Sequence, residues 1–116
     1  MSVVVAVALE DSKFLLVYNP KRKGWEFPGG RVEEGEDEME ACVREFAEEV
    51  GFEFIPRCKL RTELYAIFVG KIGKRVTDGE MEWRFFDSLP AELSFPAEEY
   101  AEVLKKVRSL GDSCSI

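Results

Sequence analysis

The chain opens on an unbroken apolar run, Val3 to Leu9, of the kind carried by a strand buried on both faces. "EDSK" (Glu10 to Lys13) reads as a tight turn, and Phe14 to Tyr18 as the returning strand. "NPKRKGWEFPGG", rich in Pro, Gly and base, predicts a loop. The acids of "EGED" (Glu34 to Asp37) suit a helix N-terminus, where the macrodipole favours them. Met39, Val43, Phe46, Ala47 and Val50 then recur at helical spacing and predict a buried stripe. Gly51 stands where a left-handed residue ends a helix. Leu60 to Ile72 reads as a strand, "GKRVTDG" as a turn, and Glu80 to Pro90 as a second strand that stops at proline. Pro96 to Leu110 places Tyr100, Ala101, Leu104, Val107 and Leu110 at helical spacing. No internal repeat, low-complexity tract or linker interrupts this order. It predicts one α+β domain, residues 1–116, with a mixed sheet and helices packed on its faces.

One feature of the central helix resists a purely structural reading. Glu45, Glu48 and Glu49 stand at i, i+3 and i+4, so their carboxylates share about 100° of arc. Like charges at that spacing destabilise a helix by roughly 0.2–0.5 kcal/mol per pair. The trio lies off the predicted stripe and is expected to face away from the core. The chain as a whole is already acidic, with a formal net charge of −7.

That charge argues against an extended nucleic-acid surface. It leaves room for a small polyanion if a metal ion supplies positive charge. The chain has no histidine, which removes Cys/His zinc sites and every His-based mechanism. Its three cysteines, Cys42, Cys58 and Cys114, are odd in number, form no C-x-x-C, and are expected to be reduced. No apolar run approaches the roughly 20 residues of a membrane span. The N-terminus lacks a basic leader region and reads as a strand, so a cytoplasmic protein is expected. The lack of Gln, a single Asn and 34% charged residues form a balance seen in proteins from very hot environments.

Read outward from the glutamates, a longer pattern appears. Gly30 is followed after five residues by Glu36, and after seven more by Arg44-Glu45-Phe46-Ala47-Glu48-Glu49-Val50-Gly51-Phe52. This resembles the Nudix hydrolase box, G-x5-E-x7-R-E-U-x-E-E-x-G-U with U bulky and apolar. All nine specified positions match. "WEFPGG" and "GEMEWRFFDSLPAELSFP" resemble the segments that flank the box in that family. The resemblance implies an α/β/α sandwich with the box loop and helix on one face of the sheet and a C-terminal helix. It implies Gly30, Glu45, Glu48 and Glu49 as Mg²⁺ ligands, Mn²⁺ being an alternative ion, with Glu48 favoured as base and Arg44 orienting the carboxylates. Gly29, Glu36 and Gly51 are then structural. Small hard cations want oxygen ligands and keep positions for water and phosphate. Three carboxylates beside a loop carbonyl supply such a half-shell, and glycine at 30 permits close approach.

The activity so implied is hydrolysis of a pyrophosphate bond in a nucleoside diphosphate derivative, with a triphosphate slightly favoured over ADP-ribose or a dinucleoside polyphosphate. A non-catalytic nucleotide sensor is the alternative. Arg22 and Lys23 are candidate phosphate contacts and Trp83 a candidate for stacking on the base. Glu80, Glu82, Glu98 and Glu99 are candidates for a further acid at the site. Short members of the family are often homodimers.

Overall fold

The computed structural model describes residues 2–110. Its sheet is built from β1 (Val3–Glu10), β2 (Lys13–Asn19), β3 (Gly24–Glu26), β4 (Gly29–Arg31), β5 (Phe52–Arg61), β6 (Ala66–Arg75) and β7 (Glu82–Phe86). The helices are α1 (Glu38–Val50) and α2 (Ala97–Leu110). The sheet runs β3-β2-β1-β6-β5, with β4 also paired to β1 and β7 to β2. Among the described strands β1 and β6 pair in parallel and the other pairs are antiparallel, so the sheet is mixed.

β1 is the hub, buried from Val4 to Ala8 as its unbroken apolar run requires. Alternate side chains feed two cores. Val4, Ala6 and Ala8 pack with Phe46, Cys42 and Val50 of α1, while Val5 and Val7 pack with Val103, Leu104 and Val107 of α2. The α/β/α sandwich and the mixed sheet expected of the chain are both present. The β1–β2 turn holds Asp11 and Ser12 at φ 50° and 65°, as a two-residue hairpin turn matched to strand twist demands.

Two stretches depart from the sequence reading. The Pro/Gly-rich segment after β2 is not all loop: Trp25 pairs with Tyr18 in β3, and Gly29 to Arg31 pair with Val5 to Val3 in β4. The strand expected over Leu60 to Ile72 is broken at 62–65, and its halves belong to the antiparallel pair β5 and β6. β5 was hidden by Pro56 and by register shifts along the pair, which blur its alternation. The predicted stripe of α1 is also rotated. Met39 is 39% exposed, whereas Ala41, Cys42, Phe46, Glu49 and Val50 form the buried face. Cys42 is a buried free thiol but Cys58 is disulfide-bonded, which corrects the expectation of reduced cysteines; Cys114 lies outside the described residues.

Both ends of α1 are tied down. Asp37 caps the N-terminus: its Oδ1 accepts from the Glu40 amide at 2.8 Å, while Glu40 Oε1 accepts from the Asp37 amide at 2.9 Å. At the C-terminus Gly51, at φ 86°, donates its amide to the Ala47 carbonyl. The last turn has no basic residue, and the β6–β7 loop satisfies its carbonyls instead. Glu80 donates to Glu48 O at 2.9 Å, and Met81 to Glu49 O at 2.9 Å. A Cβ at Gly51 would stand 2.7 Å from Thr77 O. Gly51→Ala is therefore expected to lose about 1–2 kcal/mol from the left-handed backbone alone, with the contact adding to it. Urea denaturation of the two proteins measures this, and an unchanged midpoint would show that the loop does not hold the helix end.

Candidate active site

The site forms where β4 passes over the middle of α1. Gly29 and Gly30 follow Pro28, and a side chain at either would meet a close neighbour, backbone at 29 and the Glu45 carboxyl at 30. A Cβ on Gly29 would strike the Val4 carbonyl. One on Gly30 would stand 2.5 Å from the Glu45 carboxyl carbon. A side chain at 30 would therefore displace the Glu45 carboxyl from its place against the strand.

Into this contact α1 projects its acids. Glu49 is only 9% exposed, and its Oε1 accepts the Gly29 amide at 3.2 Å. Burial, together with the adjoining Glu45 carboxyl, pushes the Glu49 carboxyl up to about 9, so in the absence of a cation it holds a proton at neutral pH. The Gly29 amide opposes that rise without cancelling it. Glu49 thus sits on the buried face of α1 and not, as the sequence reading had it, on a face turned wholly outward. It falls at i+7 from Cys42 and three beyond Phe46, so the stripe that packs on the sheet includes it. Glu48 is 48% exposed at its side chain and faces the opening of the site.

Arg44 organises the remaining acids. Its Nε and Nη2 donate to the two oxygens of Glu36 at 2.6 and 2.9 Å, a bidentate fork. Its Nη1 donates to Glu45 Oε1 at 2.7 Å and reaches Glu48 at 3.4 Å, and its Nη2 also reaches the Arg31 carbonyl at 3.2 Å. One guanidinium therefore links the loop, β4 and two of the three box acids. Glu36 also accepts the Glu33 amide at 2.9 Å. The Arg44 fork, followed by that amide, pulls the Glu36 carboxyl down to about 2. Glu40, the other acid one turn from Arg44, is spent on the N-terminal cap.

Among the described residues no three acids stand close enough to enclose an ion as they are. The donor set still fits a hard divalent cation. Two apposed carboxylates, one of them buried, are a like-charge pair that an added cation would relieve, and they lie against backbone that only glycine allows. Glu48 is tied only loosely, to Arg44 at 3.4 Å.

On the other face of β4 lies a cavity of about 320 Å³, lined in part by Gly29 and Gly30 and by Val3, Phe27 and Tyr100. Arg22 reaches its wall; Lys23 does not line it. Trp83 is placed on the α1 side of the sheet, edge-on to Phe52 and Phe85 at 5.5 and 6.1 Å, so it does not line the cavity either. Of the acids considered outside the box, Glu82 pairs with Arg84, Glu80 contributes its backbone to the α1 terminus, and Glu98 is exposed at the start of α2. Glu99 lines the cavity. The sequence reading missed Glu26, which lines the same cavity beside Gly29 and adds its charge to those acting on Glu49. No local pattern marked it, since a lone acid between Trp25 and Phe27 reads only as the polar position of a short strand.

Known proteins resemble this chain in sequence and in fold. The chain is 42% identical over 57 residues to a CTP pyrophosphohydrolase of Escherichia coli, covering 46% of this chain and 42% of that one. It is 28% identical over 103 residues to an 8-oxo-dGTP diphosphatase of Buchnera aphidicola, covering 76% and 79%. The chain spans less than half the length of the first curated relatives it matches. Among solved structures, a Bacillus subtilis pyrophosphohydrolase superposes with a TM-score of 0.72 at 27% identity, covering 95% of this chain and 82% of that one. A UDP-X diphosphatase superposes at 0.74 with 23% identity, over 94% and 63%, a likeness of fold. The family model for the NUDIX domain matches residues 1–108, from the first strand to the last turns of α2, and the chain belongs to that family.

Proposed function

We propose that the protein is a divalent-cation-dependent pyrophosphohydrolase of a nucleoside triphosphate or a related nucleoside diphosphate derivative. The observation that carries this reading is the apposition of Glu45 and Glu49 at Gly29–Gly30, one strand's thickness from a cavity of nucleoside size. Relatives that act on CTP and on 8-oxo-dGTP support the substrate class.

Glu45, Glu48, Glu49 and the Gly30 carbonyl would hold Mg²⁺, with Mn²⁺ as an alternative. When bound, the ion neutralises phosphoryl oxygens and acidifies water. The chain's own groups do the rest. Arg44 fixes the Glu45 carboxylate before substrate arrives and holds Glu48 only loosely, leaving it free to turn toward the ion. With no histidine in the chain, the base is a carboxylate or a metal-held hydroxide, and we assign the carboxylate role to Glu48, the most exposed of the trio. Water oxygen bonds to phosphorus, the bridging P–O bond breaks, and a nucleoside monophosphate leaves with pyrophosphate or a phosphorylated group as the other product.

Incubation with nucleoside triphosphates, ADP-ribose and dinucleoside polyphosphates, with and without Mg²⁺, tests the reading directly. Monophosphate release is expected only with metal, and Glu48→Gln is expected to lower kcat by roughly 10²–10⁴-fold. Turnover of every compound at the wild-type rate by the variant would remove Glu48 from its role. Tight Mg²⁺ binding with no turnover of any compound would favour a nucleotide sensor.

The buried pair makes a second prediction, for the metal-free protein. The Glu49 carboxyl is raised from 4.5 to about 9, so across that window the folded chain keeps a proton the unfolded chain has released. Stability from this group is complete below the lower value and is lost as pH rises toward the upper one. No histidine titrates in the window to mask it. The melting temperature is expected to fall from about pH 5 to about pH 9, and Glu49→Gln to flatten the profile. Mg²⁺ should raise it more at about pH 8 than at about pH 6, because the ligand must lose its proton. An identical profile in the variant would show that Glu49 does not carry the titration.

A further inference from the structure

The cavity beside β4 is not a uniform apolar slot. Its floor is Val3, Val5 and Val103, and Phe27 and Tyr100, with ring centroids 5.6 Å apart, form one wall. Arg22 stands 5.1 Å over the Phe95 ring at its rim. Glu26 is engaged by Arg22 at 3.3 Å. Glu99 is different. It comes from the first turn of α2, and one oxygen accepts the Tyr65 hydroxyl at 2.7 Å. Tyr65 is half-buried and its hydroxyl is pushed up to about 12 by burial and by Glu99, so it remains a donor. The tyrosine fixes the plane of the carboxylate. Among the described residues no cation pairs with it, and a carboxylate has acceptor positions to spare on two oxygens.

From this geometry we infer that the cavity takes the nucleobase of the substrate and that Glu99, held by Tyr65, selects guanine. The inference rests on the pyrophosphohydrolase reading above and names the substrate of the same site. A diphosphate held at Gly30 and the α1 acids would lie against β4, and Gly29 and Gly30 of that strand also line the cavity. A planar base fits between an aromatic wall and an aliphatic floor in about 320 Å³. The bases differ in what they offer an acceptor pair. Guanine presents two adjacent donors, N1–H and the 2-amino group, which match the two oxygens of a carboxylate. Adenine and cytosine each set a ring-nitrogen acceptor beside a single amino donor. Uracil and thymine flank one N–H with two carbonyls. Each of these others would turn a lone pair toward a carboxylate that is already negative, and a site built around hydrogen bonds rejects such a mismatch strongly.

Steady-state hydrolysis of GTP, ITP, ATP, UTP and CTP with Mg²⁺ is the test, run on the wild type, Glu99→Gln and Tyr65→Phe. GTP is expected to exceed ATP in kcat/KM by roughly 10- to 100-fold, the range of one bidentate base contact. ITP, which keeps N1–H but lacks the 2-amino group, should fall between them. In Glu99→Gln the GTP-to-ATP ratio should collapse, and in Tyr65→Phe it should shrink. Equal turnover of all five nucleotides by the wild type, or an unchanged ratio in Glu99→Gln, overturns the inference while leaving the hydrolase reading intact. Should no nucleotide be cleaved, that reading fails, and NMR titration of guanosine, inosine and adenosine into the metal-free protein decides the base preference alone. Guanosine binding most tightly, with shifts at Tyr65 and Glu99, upholds it, and no preference refutes it.

Discussion

A carboxylate buried against a second carboxylate is the constraint around which the rest of the chain is arranged. Glu49 lies on the face of α1 that packs into the protein, and Glu45 stands beside it. A lone ionised carboxyl in such a place is costly, and a like-charged neighbour adds to the cost. The chain answers with a proton on Glu49, an amide from Gly29, and Arg44 on the outer side of Glu45. None of these removes the conflict. A core residue at position 49 would remove it, so the packing of the helix alone gives no reason for an acid there.

Keeping the pair in place requires both the strand above it and the helix end below it to be fixed. The strand is fixed by glycines that let β4 lie on Val4 and on the Glu45 carboxyl at once. The helix end is fixed by the β6–β7 loop, whose amides at Glu80 and Met81 take up the carbonyls of Glu48 and Glu49 themselves. The backbone of both acids is thus held by hydrogen bonds from outside the helix. Arg44 completes the frame, since Glu36 binds it as a fork and also holds the Glu33 amide in the approach to α1.

Much of this was legible in the sequence because it is local. Capping acids, the apolar run of β1, the left-handed Gly51 and the box spacing each depend on residues a few positions apart. What was not legible depends on partners far along the chain. β3 and β4 are three residues each, too short for any period, and exist because Tyr18 and Val4 lie opposite them. Glu49 is acidic and so was assigned outward, although its spacing from Cys42 and Phe46 places it inward. Trp83 stood out among polar neighbours, yet its ring packs on Phe52 and Phe85. Glu26 and Glu99 are separated by most of the chain and meet at one cavity only through the sheet order. No local pattern carries that information.

The sheet also sets two chemically opposed environments side by side. The charged face lies with α1, the aromatic cavity lies with α2, and β4 is the thin partition between them. The partition is not independent of the cavity wall. Tyr100 of α2 donates its hydroxyl to the Trp25 carbonyl at 2.6 Å, and the Ser94 amide donates to that carbonyl at 3.2 Å. The Trp25 amide in turn donates to the Glu92 carbonyl at 2.8 Å. Trp25 is four residues before Gly29, so α2 and the segment leading into it hold the start of the same stretch that ends at the acids. A ligand that moved α2 would pull on β3 and hence on the glycines over Glu45 and Glu49. The wall of the cavity and the strand over the acids are therefore joined by one short, hydrogen-bonded stretch of backbone.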